Sequence, residues 1–331
     1  MDSEARKFCD LGKECLEDGK PEEAFNWYER AIDVDPESSD AWCGRGKASY
    51  DMGRLERADR DFRRAIRYAK RTLPPERNGT RRWWSDPATR PYLRAVHGHG
   101  LCLFWLGAYE DAAKVFRRLL KLAPTDPLDV RFLVGETYLR LGRIERAVKE
   151  LEPIEDDPDA LYNLGLAKFY AGDFPGSVSA FRRGFFANLH LPSILCEKPS
   201  GSGDDDEDDG EGGKKKREEL PTDQGTHPKG LDGEGAAHDY VDRCGDFWFG
   251  RPVVQKWLDG IRSHPLVMLE IEKHLDQLRQ LQSKELAAGA RAQIEGENTT
   301  LRSIDRIAAT DRGIASDVLA KVFTLSPEKP A

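Results

Sequence analysis

Residues 5–36 read ARKFCDLGKECLEDGKPEEAFNWYERAIDVDP. Within them Gly12 and Gly19 stand seven residues apart, and Ala24, Tyr28, Ala31 and Pro36 follow in order. The same order recurs four times downstream, with glycine pairs Gly46/Gly53, Gly100/Gly107, Gly135/Gly142 and Gly165/Gly172. Five residues after each second glycine comes a small residue, Ala58, Ala112, Ala147 or Ser177, and four further on a large apolar one, Phe62, Phe116, Leu151 or Phe181. Next come Ala65, Leu119, Ile154 and Gly184, and Pro124 closes the third unit as Pro36 closes the first. The first glycines are separated by 34, 54, 35 and 30 residues, so five units follow one another with one insertion.

Such a period means one supersecondary unit repeated. Two helices, A and B, approach closely where the first glycine and the later alanines remove side-chain bulk. The second glycine occupies the turn between them, where positive φ costs glycine least. The large residue of helix B fills the space beneath helix A, and proline ends the pair. No single pair buries its apolar face, so neighbours stack into a superhelix with a concave side. The first three units fit best. The fourth departs at Leu151 and Ile154, and the fifth, which starts early and carries Ser177 and Gly184, reads as a degenerate terminal unit.

The pattern resembles the tetratricopeptide repeat (TPR) over about residues 5 to 191. That resemblance implies an all-α fold, an α-α superhelix or TPR solenoid, over residues 1–196, with an insertion at 71–91, RTLPPERNGTRRWWSDPATRP. Prolines, Asn78-Gly79 and Asp86-Pro87 mark the insertion as loop. Trp83 and Trp84 bury too much apolar area to be left in water, so the insertion is expected to fold back on the solenoid. Residues 197–238 are rich in Gly, Asp, Glu, Lys and Ser and nearly free of large apolar residues, which predicts a disordered acidic linker. From 239 to 324 a helical C-terminal region is expected as a cap or extension. Tyr240, Phe247, Trp248, Trp257 and Leu258 open it, and a stripe from Leu266 to Leu281 continues it. A polar break is expected at Gly296-Glu297-Asn298, before a last stripe from Leu301 to Val322.

Composition removes other classes. The longest near-apolar run, Gly100 to Ala108, is nine residues, too short for a bilayer span. The acidic start Met1-Asp2-Ser3-Glu4 is unlike a secretory signal. The six cysteines contain no C-x-x-C pair, so a reducing, cytoplasmic setting with no disulfide framework is expected. The net charge of −8 is unevenly spread. Residues 204–219 hold four bases against nine acids, a net of −5 that leaves −3 for the rest, whereas residues 54–94 hold thirteen bases against five acids.

A narrower resemblance rests on Trp84 with Thr89-Arg90-Pro91-Tyr92-Leu93-Arg94-Ala95, then Gly100-Leu101, Leu106-Gly107 and Ala123-Pro124-Thr125-Asp126 with Arg131. With Ala187 to Pro192, Tyr240, Trp248 and Trp257-Leu258, these are similar to soluble relatives of the suppression-of-tumorigenicity-seven family. The acidic linker departs from that pattern. The resemblance implies a non-catalytic role.

Helix-A positions 2, 5, 9 and 12 face the groove of a TPR solenoid, with the first glycine at position 8. This places Arg6, Cys9, Lys13 and Leu16 there in the first unit, Asp40, Cys43, Lys47 and Tyr50 in the second, and Arg94, His97, Leu101 and Phe104 in the third. Asp129, Phe132, Glu136 and Leu139 follow in the fourth, and Asp159, Tyr162, Leu166 and Phe169 in the fifth. From this set Arg6, Lys13, Lys47, Tyr50, Arg94, His97, Phe104 and Tyr162 are the candidate groove residues. They suit an extended protein or peptide partner whose acidic end lies near Lys13, Lys47 and Arg94. Repeat proteins that clamp a chaperone C-terminal carboxylate use Lys and Asn of the first helix A, Asn of the second and Lys or Arg of the third. The equivalent positions here carry Cys9 and Lys13, then Gly44, and Arg94 with Gly98 as its companion, so no such clamp is expected.

The arginine-rich stretch supports an alternative. Arg64, Arg67, Arg81, Arg82 and Arg90, with Trp83 and Trp84, combine phosphate-binding cations with stacking aromatics, as a nucleic-acid module does. The plainer reading is a solvated helix-B face paired locally with Glu56, Asp59 and Asp61. A third is that the acidic segment docks on this stretch. His97 and His99 are two apart on a helix and point to different sides, so they do not share a metal. No phosphate loop, nucleophile elbow or H-E-x-x-H occurs. No enzyme activity, cofactor or metal is expected, and no membrane partner.

Overall fold

The computed structural model describes residues 2–73, 83–155, 157–196, 233–282, 288–301 and 304–324. Among these residues the secondary structure is helical, with no strand. They form two compact units, one from Met1 to Gly142 and one that begins at Arg143 and takes in the C-terminal helices.

The first unit contains α1 (Ser3–Glu17), α2 (Pro21–Val34), α3 (Ser39–Asp51), α4 (Leu55–Arg71), α5 (Arg90–Trp105), α6 (Tyr109–Leu122) and α7 (Val130–Arg140). Helices α1/α2, α3/α4 and α5/α6 are the helix A/helix B pairs that the glycine spacing predicts. Caps set where they start: Asp2 accepts from the Glu4 N–H at 2.7 Å and Ser38 from the Ala41 N–H at 3.3 Å. The glycine turn stops each helix A. All five second glycines have φ between 65° and 77°. In the first turn the Lys20 N–H reaches the Cys15 carbonyl at 2.8 Å, and Arg54 to Ser49 and Ala108 to Leu103 repeat the same six-residue closure. That closure requires a left-handed residue, which a side chain disfavours by about 1–2 kcal/mol.

The packing between repeats depends on glycines at two helix-A positions. A Cβ on Gly12 would stand 2.8 Å from the Tyr28 ring, and one on Gly44, in the next helix A, 2.1 Å from it. Phe62 is held likewise, between Gly46 at 3.1 Å and Gly98 at 2.4 Å. Each helix-B ring is therefore seated between two helix backbones. In an open helix, Gly→Ala gains about 0.5–1 kcal/mol. Gly98→Ala instead drives a methyl into a ring that cannot retreat, because the Gly46 backbone lies behind it. We expect a net loss of about 1–2 kcal/mol by urea unfolding. Gly313→Ala, in the helix Ile304–Thr324 with open space around it, should be neutral or stabilising. Equal effects at the two glycines would overturn this packing account.

The second unit contains α8 (Ile144–Leu151), α9 (Pro158–Tyr170), α10 (Phe174–Ala187), α11 (Leu191–Cys196), α12 (Glu234–Cys244), α13 (Pro252–Arg262), α14 (Pro265–Gln282), α15 (Ala288–Leu301) and α16 (Ile304–Thr324). The fifth repeat, α9/α10, is fully formed despite its departures. Ser177, where the other units have alanine, donates its hydroxyl to the Gly165 carbonyl at 2.7 Å and accepts from the Trp257 indole at 3.0 Å. The C-terminal helices pack on this pair. Helix α16 runs against α10 and α13, burying Ile307, Ile314 and Val318. Trp248 and Trp257 are fully buried.

Two boundaries differ from expectation. Helix α12 starts at Glu234, inside the stretch expected as linker to residue 238, because Ala237 is fully buried and Asn188 donates to the Gly233 carbonyl at 3.1 Å. Helix α15 runs through Gly296-Glu297-Asn298, where a break is expected. A single helical glycine costs only about 1 kcal/mol, and local bonds such as Gln293 to Glu297 and Thr300 to the Gly296 carbonyl hold the helix. The expected acidic linker, apart from 233–238, lies outside the described residues, as do residues 74–82 of the insertion.

Candidate functional site

On the first unit, the helix-A positions expected to face a groove divide by chemistry. Arg6, Asp40 and Arg94, each at position 2, are exposed, and their side chains make no hydrogen bond or ion pair among the described residues. Desolvation raises the Asp40 carboxyl above its ordinary range, opposed by Arg94 and then Arg6, so the three belong to one electrostatic neighbourhood. The position-9 lysines are tied within their own helices. Lys13 lies 3.4 Å from Glu17, and Lys47 lies 2.7 Å from Asp51 and above the Tyr50 ring. Position 5 carries Cys9, Cys43 and His97. Burial, with Asp40 nearby, pushes both thiols up to about 12, which leaves neither as a thiolate nucleophile at neutral pH. His97 is half-buried, its ring 6.5 Å from that of Phe116.

The aromatic candidates lie elsewhere. Tyr50 and Phe104 are 3% and 2% exposed, and Phe104 packs against Trp105 and Tyr109 with the Arg140 guanidinium over it. Position 12, in the last turn of helix A, lets a large ring swing into the helix packing, so these two serve the core. Tyr162 is fully buried in the second unit, ringed by Phe181, Phe185, Tyr240 and Trp248 at 5.9–6.2 Å. The Tyr240 hydroxyl donates to Asn163 at 3.0 Å and accepts from the Trp248 indole at 3.0 Å. Arg243 reaches Asp159, a position-2 residue, at 2.5 Å. At α9 the chain therefore lays its own α12 over the residues that the spacing offers to a partner.

The arginine-rich helix α4 is mostly engaged. Arg57 lies over Phe25 and Arg64 over Trp42, at 4.4 and 4.6 Å. Arg63 pairs with Asp59 at 2.9 Å and Arg71 with Glu37 at 2.6 Å. Asp59 also meets His99 Nδ1 at 2.5 Å. Burial raises the Asp59 carboxyl, but His99 and Arg63 outweigh it and bring it below its ordinary range. Arg54, Arg60, Arg67 and Lys70 are exposed with no ion pair among the described residues. Trp83 and Trp84 are half-buried. The Trp83 ring lies 5.5 Å from Tyr92, and Arg90 donates to the Trp84 carbonyl at 3.1 Å and lies over its ring. Arg81 and Arg82 lie outside the described residues.

Sequence reasoning misses three polar devices. Arg45 and Asp61, 8% and 2% exposed, form a two-bond pair with both contacts at 2.9 Å. Asp126, with φ of 51°, accepts the Val130 and Arg131 N–H groups at the start of α7 at 2.7 and 2.8 Å. Arg182, fully buried, donates to Asp311 and Glu270, both at 2.6 Å, and to Thr310 and the Ile307 carbonyl, both at 2.8 Å. A charged residue at core spacing, as at Asp61 between Ala58 and Phe62, is the signal available for the first. For Arg182 none exists, because its partners lie 88 and 129 residues away. Among the described residues no group of three or more His, Cys, Asp or Glu side chains is placed to hold a metal ion.

Two family descriptions match this chain: "TPR repeat" over residues 12–53, and "Tetratricopeptide repeat" over 39–72 and 106–160. They describe the repeat itself and say nothing of the narrower subgroup. The chain is 24% identical over 176 residues to the Protein CTR9 homolog of Arabidopsis thaliana, covering 50% of this chain and 14% of that one. It is 20% identical over 220 residues to the human DnaJ homolog subfamily C member 3, covering 55% and 42%. It thus spans less than half the length of either relative. Among solved structures, MamA from Desulfovibrio magneticus RS-1 covers 56% of this chain and 96% of its own at 17% identity and a TM-score of 0.47. YrrB, a TPR protein with an unusual peptide-binding site, covers 55% and 85% at 17% identity and a TM-score of 0.43. With glycine turns, seated rings and helix pairs in the repeat's order, and with those matches, this chain carries tetratricopeptide repeats over residues 12–72 and 106–160.

Proposed function

We propose that this protein is a non-catalytic interaction scaffold that holds a segment of a partner protein on the helix-A face of its first unit. TPR proteins in general bind protein or peptide partners. The observation that carries the reading here is a contrast. At α9 the helix-A residues Asp159, Asn163 and Tyr162 are covered by α12, whereas Arg6, Asp40 and Arg94 on α1, α3 and α5 stand exposed with no side-chain partner among the described residues. Charges held on rigid helices are ready to meet a complementary chain with little ordering cost.

A carboxylate clamp for chaperone tails does not fit this reading. Gly44 and Gly98 occupy positions where an asparagine would strike the Tyr28 and Phe62 rings, since even a Cβ comes within 2.1 and 2.4 Å. Among the described residues no helix is long and apolar enough to cross a membrane. Among the described residues a nucleic-acid role is favoured by Arg54, Arg60, Arg67 and Lys70. Against it, the other α4 arginines are held by protein groups, and the half-buried Trp83 and Trp84 are engaged by Tyr92 and Arg90.

The test is affinity capture from the native cell's lysate, with and without nuclease, comparing the wild type with Lys13→Glu/Lys47→Glu/Arg94→Glu. We expect a protein partner that the triple variant loses and nuclease does not affect. Capture that vanishes with nuclease would transfer the role to the α4 surface, and capture unchanged in the variant would remove the helix-A face.

A further inference from the structure

The charges on the helix-A face alternate, and their spacing is readable. Position 2 of three successive repeats carries Arg6 on α1, Asp40 on α3 and Arg94 on α5. Helices α1 and α3 are packed neighbours, as are α3 and α5. Packed helix axes lie about 8–10 Å apart, and an extended chain advances about 3.3 Å per residue. Three residues of an extended peptide therefore step from one position-2 side chain to the next. None of the three is spent on this protein's own hydrogen bonds or ion pairs among the described residues, unlike Lys13 and Lys47, which hold Glu17 and Asp51. In the second unit the equivalent residue, Asp159, shows the use: it takes an arginine, Arg243, from a segment laid over α9.

We propose that the first unit recognises an extended peptide of charge pattern acidic-x-x-basic-x-x-acidic, with the acidic residues on Arg6 and Arg94 and the basic residue on Asp40. The pattern reads the same in both chain directions, so the selection holds whichever way the peptide runs. A uniformly acidic peptide is disfavoured at its centre by Asp40, and a uniformly basic one at both ends. Selection comes as much from these repulsions as from the attractions. This proposal rests on the scaffold reading above and specifies the partner it takes.

The test uses the full chain and two fluorescein-labelled peptides on a Gly/Ser background. One carries glutamate, lysine and glutamate three residues apart, and the other lysine, glutamate and lysine at the same places. Fluorescence polarisation should show the first bound at least tenfold more tightly, with the difference shrinking in salt, as exposed charges require. The variant Arg6→Glu/Asp40→Lys/Arg94→Glu should invert the order. Equal binding of the two peptides, no binding of either, or a folded variant that keeps the wild-type order would overturn the pattern. Should the triple variant fail to fold, Asp40→Lys alone decides the matter. It should gain at least fivefold for a peptide with three glutamates, and no gain overturns the proposal. If lysate capture still depends on Lys13, Lys47 and Arg94 while the peptides are not told apart, the charge pattern falls and the scaffold stands. If that capture is insensitive as well, both fall.

Discussion

Arg182→Met should destabilise the second unit by about 3–5 kcal/mol, the cost of removing one partner from a buried charge cluster. Arg182 reaches from α10 to Asp311 on α16 and Glu270 on α14, and its side chain is fully buried, with Asp311 at 3% exposure. One guanidinium serves two carboxylates, so deleting it strands a negative charge beneath α16. Burial already raises the Asp311 carboxyl above its ordinary range, against the pull of Arg182. A raised carboxyl contributes stability that is present in acid and lost as pH rises through the folded-state value. The wild-type second unit should therefore hold α16 more firmly on the acid side of that value. The Arg182→Met defect should shrink as pH falls through the same window, because protonation removes the stranded charge. Urea unfolding across pH checks the sign, and amide exchange locates the effect. Exchange should quicken in α10 and α16 while α1 to α6 stay as they were. Removing both groups, Arg182→Met/Asp311→Leu, should recover more than half of the loss, since Glu270 is 14% exposed and keeps contact with water. A single variant within 1 kcal/mol of wild type at neutral pH would show that the cluster does not hold the C-terminal helices.

Trp248→Ala should cost about 3–5 kcal/mol, the range for truncating a fully buried aromatic. Trp248 is 0% exposed and its ring lies 5.7 Å from Phe181 and 6.2 Å from Tyr162. Its indole N–H is the donor to Tyr240, whose own hydroxyl is bound to Asn163. Trp248→Phe keeps most of the apolar contact and loses that bond, so about 1–2 kcal/mol is expected for it. The ordering, alanine well below phenylalanine and phenylalanine below wild type, separates packing from hydrogen bonding. If Trp248→Ala unfolded within 1 kcal/mol of wild type, α12 and the turn after it would not be the fixed cover of α9 that the contacts describe.

The repeats were legible because their signals are local. A glycine at positive φ, an alanine where two helices touch and an aromatic between them each act within one period, so Gly19, Ala24 and Tyr28 carry their meaning in order along the chain. Helix α12 and the continuity of α15 were less so. A few small apolar residues and one glycine weigh little locally, and the burial of Ala237 or the bonds around Gly296 decide the outcome. The candidate site was half legible. Spacing selected the helix-A face, but it ranked Tyr50, Phe104 and Tyr162 with the exposed charges, since period alone does not distinguish a ring in the groove from one turned into the packing.

From the chain of residues alone come the class, the repeat, the position of each turn and the segregation of charge, because these depend on neighbours within about 34 residues. Only the tertiary structure decides which charges remain unspent. Arg45 and Asp61 close on each other inside the first unit, and Arg182 gathers carboxylates from two distant helices. Arg6, Asp40 and Arg94 are left facing water without a partner among the described residues. The physical reason is desolvation. A charge taken out of water must find a partner wherever the fold brings one, at any sequence distance, and a charge that stays solvated on a helix face remains available for another molecule.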